Sequence, residues 1–185
     1  MGAVIQLNMT RVDPPYFAPL TFGDDAERDD FIQQWFGKHL RSMNEPRLCL
    51  AYSCDVIRLL TLPTFHEPRM VRVERGTTAT RISAKQTDGR GGYGPGRLTV
   101  DRTTDALCNL FNDATDLLNS IDFWNLPVLD DAVVRDGTRY VIESKVNAEY
   151  HVIERASPDT NERKLLDWIN ANAQGMFPKR WITKR

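Results

Sequence analysis

Short β-favouring runs joined by tight turns constrain this chain more than any other feature of its sequence. Val56 to Leu62 is a continuous run closed by Pro63. Val71 and Val73 alternate with Arg72 and Glu74, Ile82 and Ala84 with Arg81, Ser83 and Lys85, and Leu98 and Val100 with Thr99 and Asp101. A period of two sends alternate side chains to opposite faces of a strand, so each run has one face to bury. Parallel neighbours would each need a crossover of about a dozen residues, so connections this short imply an antiparallel sheet. Further along, Ala132 to Arg135 meets Thr138 to Lys145 across Asp136-Gly137, a strong hairpin signal, and Lys145 turns through Val146-Asn147 into Ala148 to Arg155. An opening strand at Ile5, Leu7 and Met9, ended by Asp13-Pro14-Pro15, brings the expected total to seven or eight.

Three segments carry the helical period instead. Phe31, Ile32, Trp35, Phe36, Leu40 and Met43 recur at steps of three and four behind an acidic start at Asp24 to Asp30. Leu107, Leu110, Phe111, Ala114, Leu117, Leu118 and Ile121 form a second stripe, with Thr103 or Thr104 as the expected cap. Ser157-Pro158 is the expected start of a third, whose apolar side is Leu165, Leu166, Trp168 and Ile169. The expected fold is α+β: a largely antiparallel sheet with three helices packed mainly on one face. With 185 residues, 41% of them hydrophobic, the chain is the size of one domain, expected over residues 1–175, followed by a basic tail over 176–185.

Cys49, Cys54 and Cys108 fit neither a disulfide framework nor a C-x-x-C pair and are expected to be free and mostly buried. The first residues lack the basic start and unbroken apolar run of a signal peptide, and no stretch approaches the roughly 20 apolar residues of a membrane helix. A cytoplasmic protein with no membrane contact is the resulting expectation.

The net charge of -1 excludes a bulk-basic nucleic-acid binder but conceals a segregated pattern. Residues 47–102 carry 10 basic and 5 acidic groups, whereas 103–159 carry 4 and 11. Arg72, Arg81 and Lys85 point away from the apolar side of their strands and, with Arg90, are candidates for one basic face. The ordinary alternative is a solvated face whose cations pair with Glu74 and Asp101. Asp113, Asp116, Asp122, Asp130 and Asp131 gather around the second helix and are candidates for docking a basic partner.

Catalytic signatures are sparse. The run from Asp88 to Gly96 has five glycines, but it lacks the Gly-Lys-Ser/Thr ending and joins two strands, so a wide hairpin is expected over a phosphate loop, its tip left open to a place in an interface. His39, His66 and His151 have no H-E-x-x-H spacing, and no G-x-S-x-G elbow is present, so neither a metal site nor a cofactor is expected. The richest polar cluster is Glu143, Tyr150, His151 and Arg155. A two-residue turn puts Glu143 and His151 on opposite faces of their hairpin, against a direct acid-base dyad and in favour of a structural network.

Phe65-His66-Glu67-Pro68 with Val71-Arg72-Val73-Glu74-Arg75, the Asp88 to Gly96 loop, and Asp136-Gly137 leading through Glu143 to Tyr150-His151 and Arg155-Ala156-Ser157-Pro158 resemble a group of uncharacterised bacterial α+β proteins over roughly residues 48–170. In size and character alone the chain is similar to bacterial immunity proteins. That resemblance implies a non-catalytic protein-binding domain that inhibits a cognate toxin by occlusion. The alternatives are a small hydrolase-type enzyme with a site near Glu143 or His151, and a nucleic-acid-binding module on the basic face.

Overall fold

The alternating runs do form an antiparallel sheet. The computed structural model describes residues 15–49, 53–130, 132 and 134–178. Its strands are β1 (Val56–Pro63), β2 (Arg69–Arg75), β3 (Thr80–Thr87), β4 (Leu98–Ala106), β5 (Thr138–Val146) and β6 (Glu149–Arg155). They lie in the order β4-β3-β2-β1-β5-β6, every neighbour antiparallel. Thus β1 to β4 form a meander and β5-β6 a hairpin, and the two blocks join where β1 pairs with β5.

Six strands appear among the described residues, fewer than expected. The proposed strand at Ile5 to Met9 lies outside the described residues. Ala132 and Val134 are not in a strand, because both edges of β5 are taken by β1 and β6. Gly137 is held instead by the end of β1: its carbonyl accepts from the Thr64 amide at 2.8 Å, and its own amide donates to Thr64 Oγ1 at 3.1 Å. The chain at Val128 and Leu129 runs beside β6, where the Glu154 amide donates to the Val128 carbonyl.

The helices are α1 (Ala26–Ser42), α2 (Leu110–Ser120) and α3 (Thr160–Ala173). They divide between the two faces of the sheet instead of sharing one. Phe111, Ala114 and Leu118 of α2 and Leu165, Leu166 and Ile169 of α3 pack on Ile57, Leu59, Val71, Val73, Ile82, Ile142 and Ile153. Phe36, Leu40 and Met43 of α1, with Tyr16, Phe17 and Phe22, cover Leu60, Leu62, Met70, Val141 and Val152 on the other side. The reason lies in β1 and β5, which are apolar on both faces as central strands must be when covered twice. Met176 and Phe177, assigned from sequence to the tail, pack into the α2/α3 core.

Caps also differ from expectation. Asp25 caps α1, accepting from the Glu27 and Arg28 amides. Thr103 and Thr104 belong to β4, and the start of α2 is tied down by Thr80 of β3, whose hydroxyl accepts from the Phe111 amide at 3.2 Å. Asp159, not Ser157, caps α3, forming a reciprocal capping box with Glu162. Of the cysteines, which are free, Cys54 and Cys108 are exposed and Cys49 is half-buried. No helix of the described residues is long and apolar enough to cross a membrane.

Candidate functional site: an aromatic cleft beside the glycine loop

The β5-β6 turn is Asn147-Ala148, both with positive φ (51° and 68°), not Val146-Asn147. A turn that needs φ > 0 at both positions accepts Asn and rejects β-branched Val. The register therefore shifts by two residues, Glu143 opposing Val152, and the parity is unchanged: Glu143 and His151 lie on opposite faces.

Glu143 faces α1, and it is 1% exposed. Arg58, its cross-strand neighbour on β1, donates through Nε (3.1 Å) and Nη2 to Glu143 Oε2, while the Tyr150 hydroxyl donates to Oε1 at 2.8 Å. Arg58, also 1% exposed, donates through Nη1 to the Pro46 carbonyl at 2.6 Å and approaches Glu45 Oε2 at 3.5 Å. Glu45 follows α1, beyond a left-handed turn at Asn44, and its carboxylate also pairs with Arg72 (2.9 Å) and Lys85 (3.0 Å). Lys85 donates further to the Met43 and Asn44 carbonyls. Cations thereby meet the carbonyl-rich end of α1 and fasten it to the sheet. Burial raises the pKa of Glu143 despite the opposing pull of Arg58 and Tyr150, and burial beside Glu143 pushes the Tyr150 phenol far up.

Of the four residues proposed as a polar network, this cluster unites only Glu143 and Tyr150. Arg155 pairs with Glu162 and donates to the Glu154 and Val128 carbonyls. His151, half-buried, lies with Nε2 2.9 Å from the Leu126 carbonyl and its ring edge-on to Phe123. Glu143 has no exposed face on which to meet a substrate. Arg72, Arg81 and Lys85 do share one sheet face, but Arg72 and Lys85 are largely buried on Glu45; Arg72 also pairs with Glu74, and Arg81 lies 3.8 Å from Asp105. Arg90 stands apart, exposed on the glycine loop.

The acidic group is likewise divided. Asp113 and Asp116 are exposed on α2, and Asp122 is exposed in a left-handed turn. Asp130 is structural: it accepts from the Ala132, Ala156 and Ser157 amides. Asp131 lies outside the described residues. No group of three or more His, Cys, Asp or Glu suited to a metal ion occurs among the described residues.

The glycine loop presents no anion-binding row of free amides. Gly89 donates to the Pro95 carbonyl, Arg90 to Gly94, Gly91 to His66, Gly92 to Thr64 and Tyr93 to Arg90. The loop lies against the end of β1 so closely that a Cβ on Gly91 would fall 2.5 Å from the Leu62 carbonyl carbon and 2.6 Å from the Pro63 oxygen. Gly91→Ala is therefore expected to cost about 1–3 kcal/mol, the usual penalty of overpacking. A thermal melt with the midpoint of the parent chain would show that the loop is not seated there.

The seated loop walls one side of a concavity along α1. A cleft of ≈ 870 Å³ runs along α1, between Tyr16 on one side and Trp35, Gly92 and Tyr93 on the other. Trp35 is fixed by its indole N–H, which donates to the Gly91 carbonyl at 2.9 Å. Two unusually exposed aromatics line the cleft, Phe31 (67% exposed) and Tyr93 (58%), and a third, Phe65 (50%), stands beside Tyr93. Phe31 sits 6.4 Å from Trp35 and Phe65 6.2 Å from Tyr93, centroid to centroid. Periodicity assigned Phe31 to the buried stripe of α1; only Ile32, Trp35, Phe36, Leu40 and Met43 join that core. No protein-family model matches the chain, and no curated protein matches it.

Proposed function

We propose that the chain is a non-catalytic protein-binding domain whose docking surface is the aromatic cluster of Phe31, Trp35, Phe65 and Tyr93. The observation that carries this reading is the exposure of Phe31 and Tyr93 on one cleft, with the exposed Phe65 ring beside Tyr93. Isolated exposed apolar residues are ordinary, but contiguous ones rimmed by polar groups mark interaction surfaces, and aromatic side chains dominate the energetic centres of interfaces. An interface of about 800 Å² per partner fits a chain of this size. The acidic face of α2 is the weaker candidate, because Asp130 is occupied by three backbone amides and Asp113 and Asp116 are exposed helix-surface charges of an ordinary kind. Occlusion of a toxin by an immunity protein is one specific form of this reading.

Photo-crosslinking tests it. A benzophenone amino acid placed at Tyr93 or Phe65 in cells is expected to capture one discrete partner, and the same probe at Asp116 to capture none. Crosslinks only from Asp116 would move the docking face to α2; no discrete crosslink from any position would overturn the protein-binding reading. For the toxin form, the captured partner is expected to poison cells when expressed alone and to be harmless when expressed with this chain.

A further inference from the structure

We propose that the α1 side of the aromatic surface is where two copies of this chain meet, their α1 helices antiparallel about a two-fold axis at Gln34. This rests on the protein-binding reading and names the partner that fills the cleft. The floor of the cleft is one stripe of α1, with Asp30, Phe31, Gln34, Lys38 and Arg41 all in its lining. Over the helix and its cap, charge nearly cancels, but it is ordered along the axis. Asp25, Glu27, Asp29 and Asp30 stand against Arg28 at the start, and Lys38 and Arg41 follow with no acid between Phe31 and Met43. Hydrogen bonds leave these acids charged, since Asp29 accepts from the Leu20 and Phe22 amides and from Gln33, and Asp30 from Gln34, all neutral donors. The helix dipole accounts for charge in the first and last turns, yet Asp30 and Lys38 lie outside both.

A surface that is neutral in sum and ordered in sign selects no uniformly charged ligand. Its complement is itself reversed. Gln34 is four residues from both Asp30 and Lys38, and seven from both Glu27 and Arg41. Two α1 helices meeting antiparallel at Gln34 therefore bring Asp30 level with Lys38 of the other copy and Glu27 level with Arg41, each pair occurring twice by symmetry. The register stands on Asp30 and Lys38, because Arg41 already lies over the Tyr16 ring, 5.8 Å from its centroid.

A two-fold axis between antiparallel helices also brings each flank of the stripe onto the same flank of the other copy. Phe31 and Trp35 share one flank, 6.4 Å apart, with Tyr93 on the cleft wall beside Trp35. Their counterparts arrive on that same side, so the rings left exposed in one copy, Phe31 at 67% and Tyr93 at 58%, cover those of the other. Trp35, held by the Gly91 carbonyl before any partner arrives, loses little side-chain freedom on association.

Sedimentation velocity on the full chain, from about 1 µM to about 1 mM, tests the pairing. The parent is expected to pass from monomer to dimer within that range. Asp30→Lys and Lys38→Glu each place like charges level across the axis, and each is expected to weaken the dimer by about ten-fold or more while circular dichroism shows a folded chain. Mixed in equal amounts, the two variants set every lysine at these positions against a carboxylate and are expected to recover the parent's affinity, a result that misfolding of either one does not imitate. Phe31→Ser is expected to weaken association by about the same factor as the charge variants. A parent that stays monomeric at the highest concentration, association untouched by both charge variants, or a mixture no tighter than its components would overturn the proposal. A discrete crosslink from Tyr93 to a different protein, with the chain monomeric throughout, would overturn this inference alone and leave the protein-binding reading in place; neither association nor crosslink would remove both.

Discussion

Replacing Arg58 with Met is expected to destabilise the chain by about 3–5 kcal/mol, the range for removing one partner of a buried ion pair. The size of the effect comes from what remains behind. Among the described residues Glu143 would keep only the Tyr150 hydroxyl, and Glu45 would lose one of its three cations, all in a buried region. The double variant Arg58→Met, Glu143→Met removes the orphaned carboxylate and is expected to recover most of the loss. Urea midpoints of the parent, both single variants and the double variant supply the coupling; losses that simply add would sink the claim that the two side chains act as a unit. The pH dependence has a definite sign. Burial already raises the Glu143 pKa, and deleting Arg58 removes the main opposing influence. A carboxyl whose folded pKa lies above its unfolded value favours the folded state at low pH and ceases to do so as pH rises through the folded pKa. Arg58→Met is therefore expected to be less destabilised at pH 5 than at pH 8.

This network also marks the boundary of what local pattern discloses. Period-two alternation gave the strands, and parity placed Glu143 and His151 on opposite faces even though the turn was displaced by one residue, because that displacement slips the register by two and a two-residue slip preserves every side chain's face. The helical stripes gave all three helices, but not the face on which each packs. That depends on how the apolar side chains of β1 and β5 are shared between two layers, although the unbroken run Val56 to Leu60 hinted at double coverage. Glu45 had no local signal: it is 13, 27 and 40 residues from Arg58, Arg72 and Lys85, in a loop ending at a proline. The cap on α2 was hidden for the same reason, since Thr80 comes from another strand. The glycine loop was readable as a hairpin, but that its tip would stand between Trp35 and Arg135 required knowing that it folds back on β1.

His39 supplies the second large effect, an acid lability that substitution should remove. It lies on the inner face of α1, fully buried, with neither ring nitrogen hydrogen-bonded within the described residues. Burial, aided by the neighbouring Lys38 charge and only weakly opposed by the Gly91 backbone, lowers its pKa from 6.5 to about 4. Between those values the unfolded chain takes up a proton that the folded chain refuses, so stability declines as pH falls below 6.5 and the decline from this group ends near pH 4. A shift of that size corresponds to about 3 kcal/mol across the window. His39→Leu, of similar volume and without ring nitrogens to leave unpaired, is expected to match or exceed the parent at pH 7.5 and to outlast it by roughly 2–3 kcal/mol at pH 4.5. Urea unfolding of both chains at half-unit steps measures the difference directly, since acidic groups common to the two cancel. Parallel curves would mean that His39 is protonated in the folded chain after all. Because the Gly91 backbone acts on His39 and its carbonyl holds the Trp35 indole, the first local sign of the acid transition is expected in the Trp35 indole resonance, at the wall of the cleft, and that sign should be missing in His39→Leu.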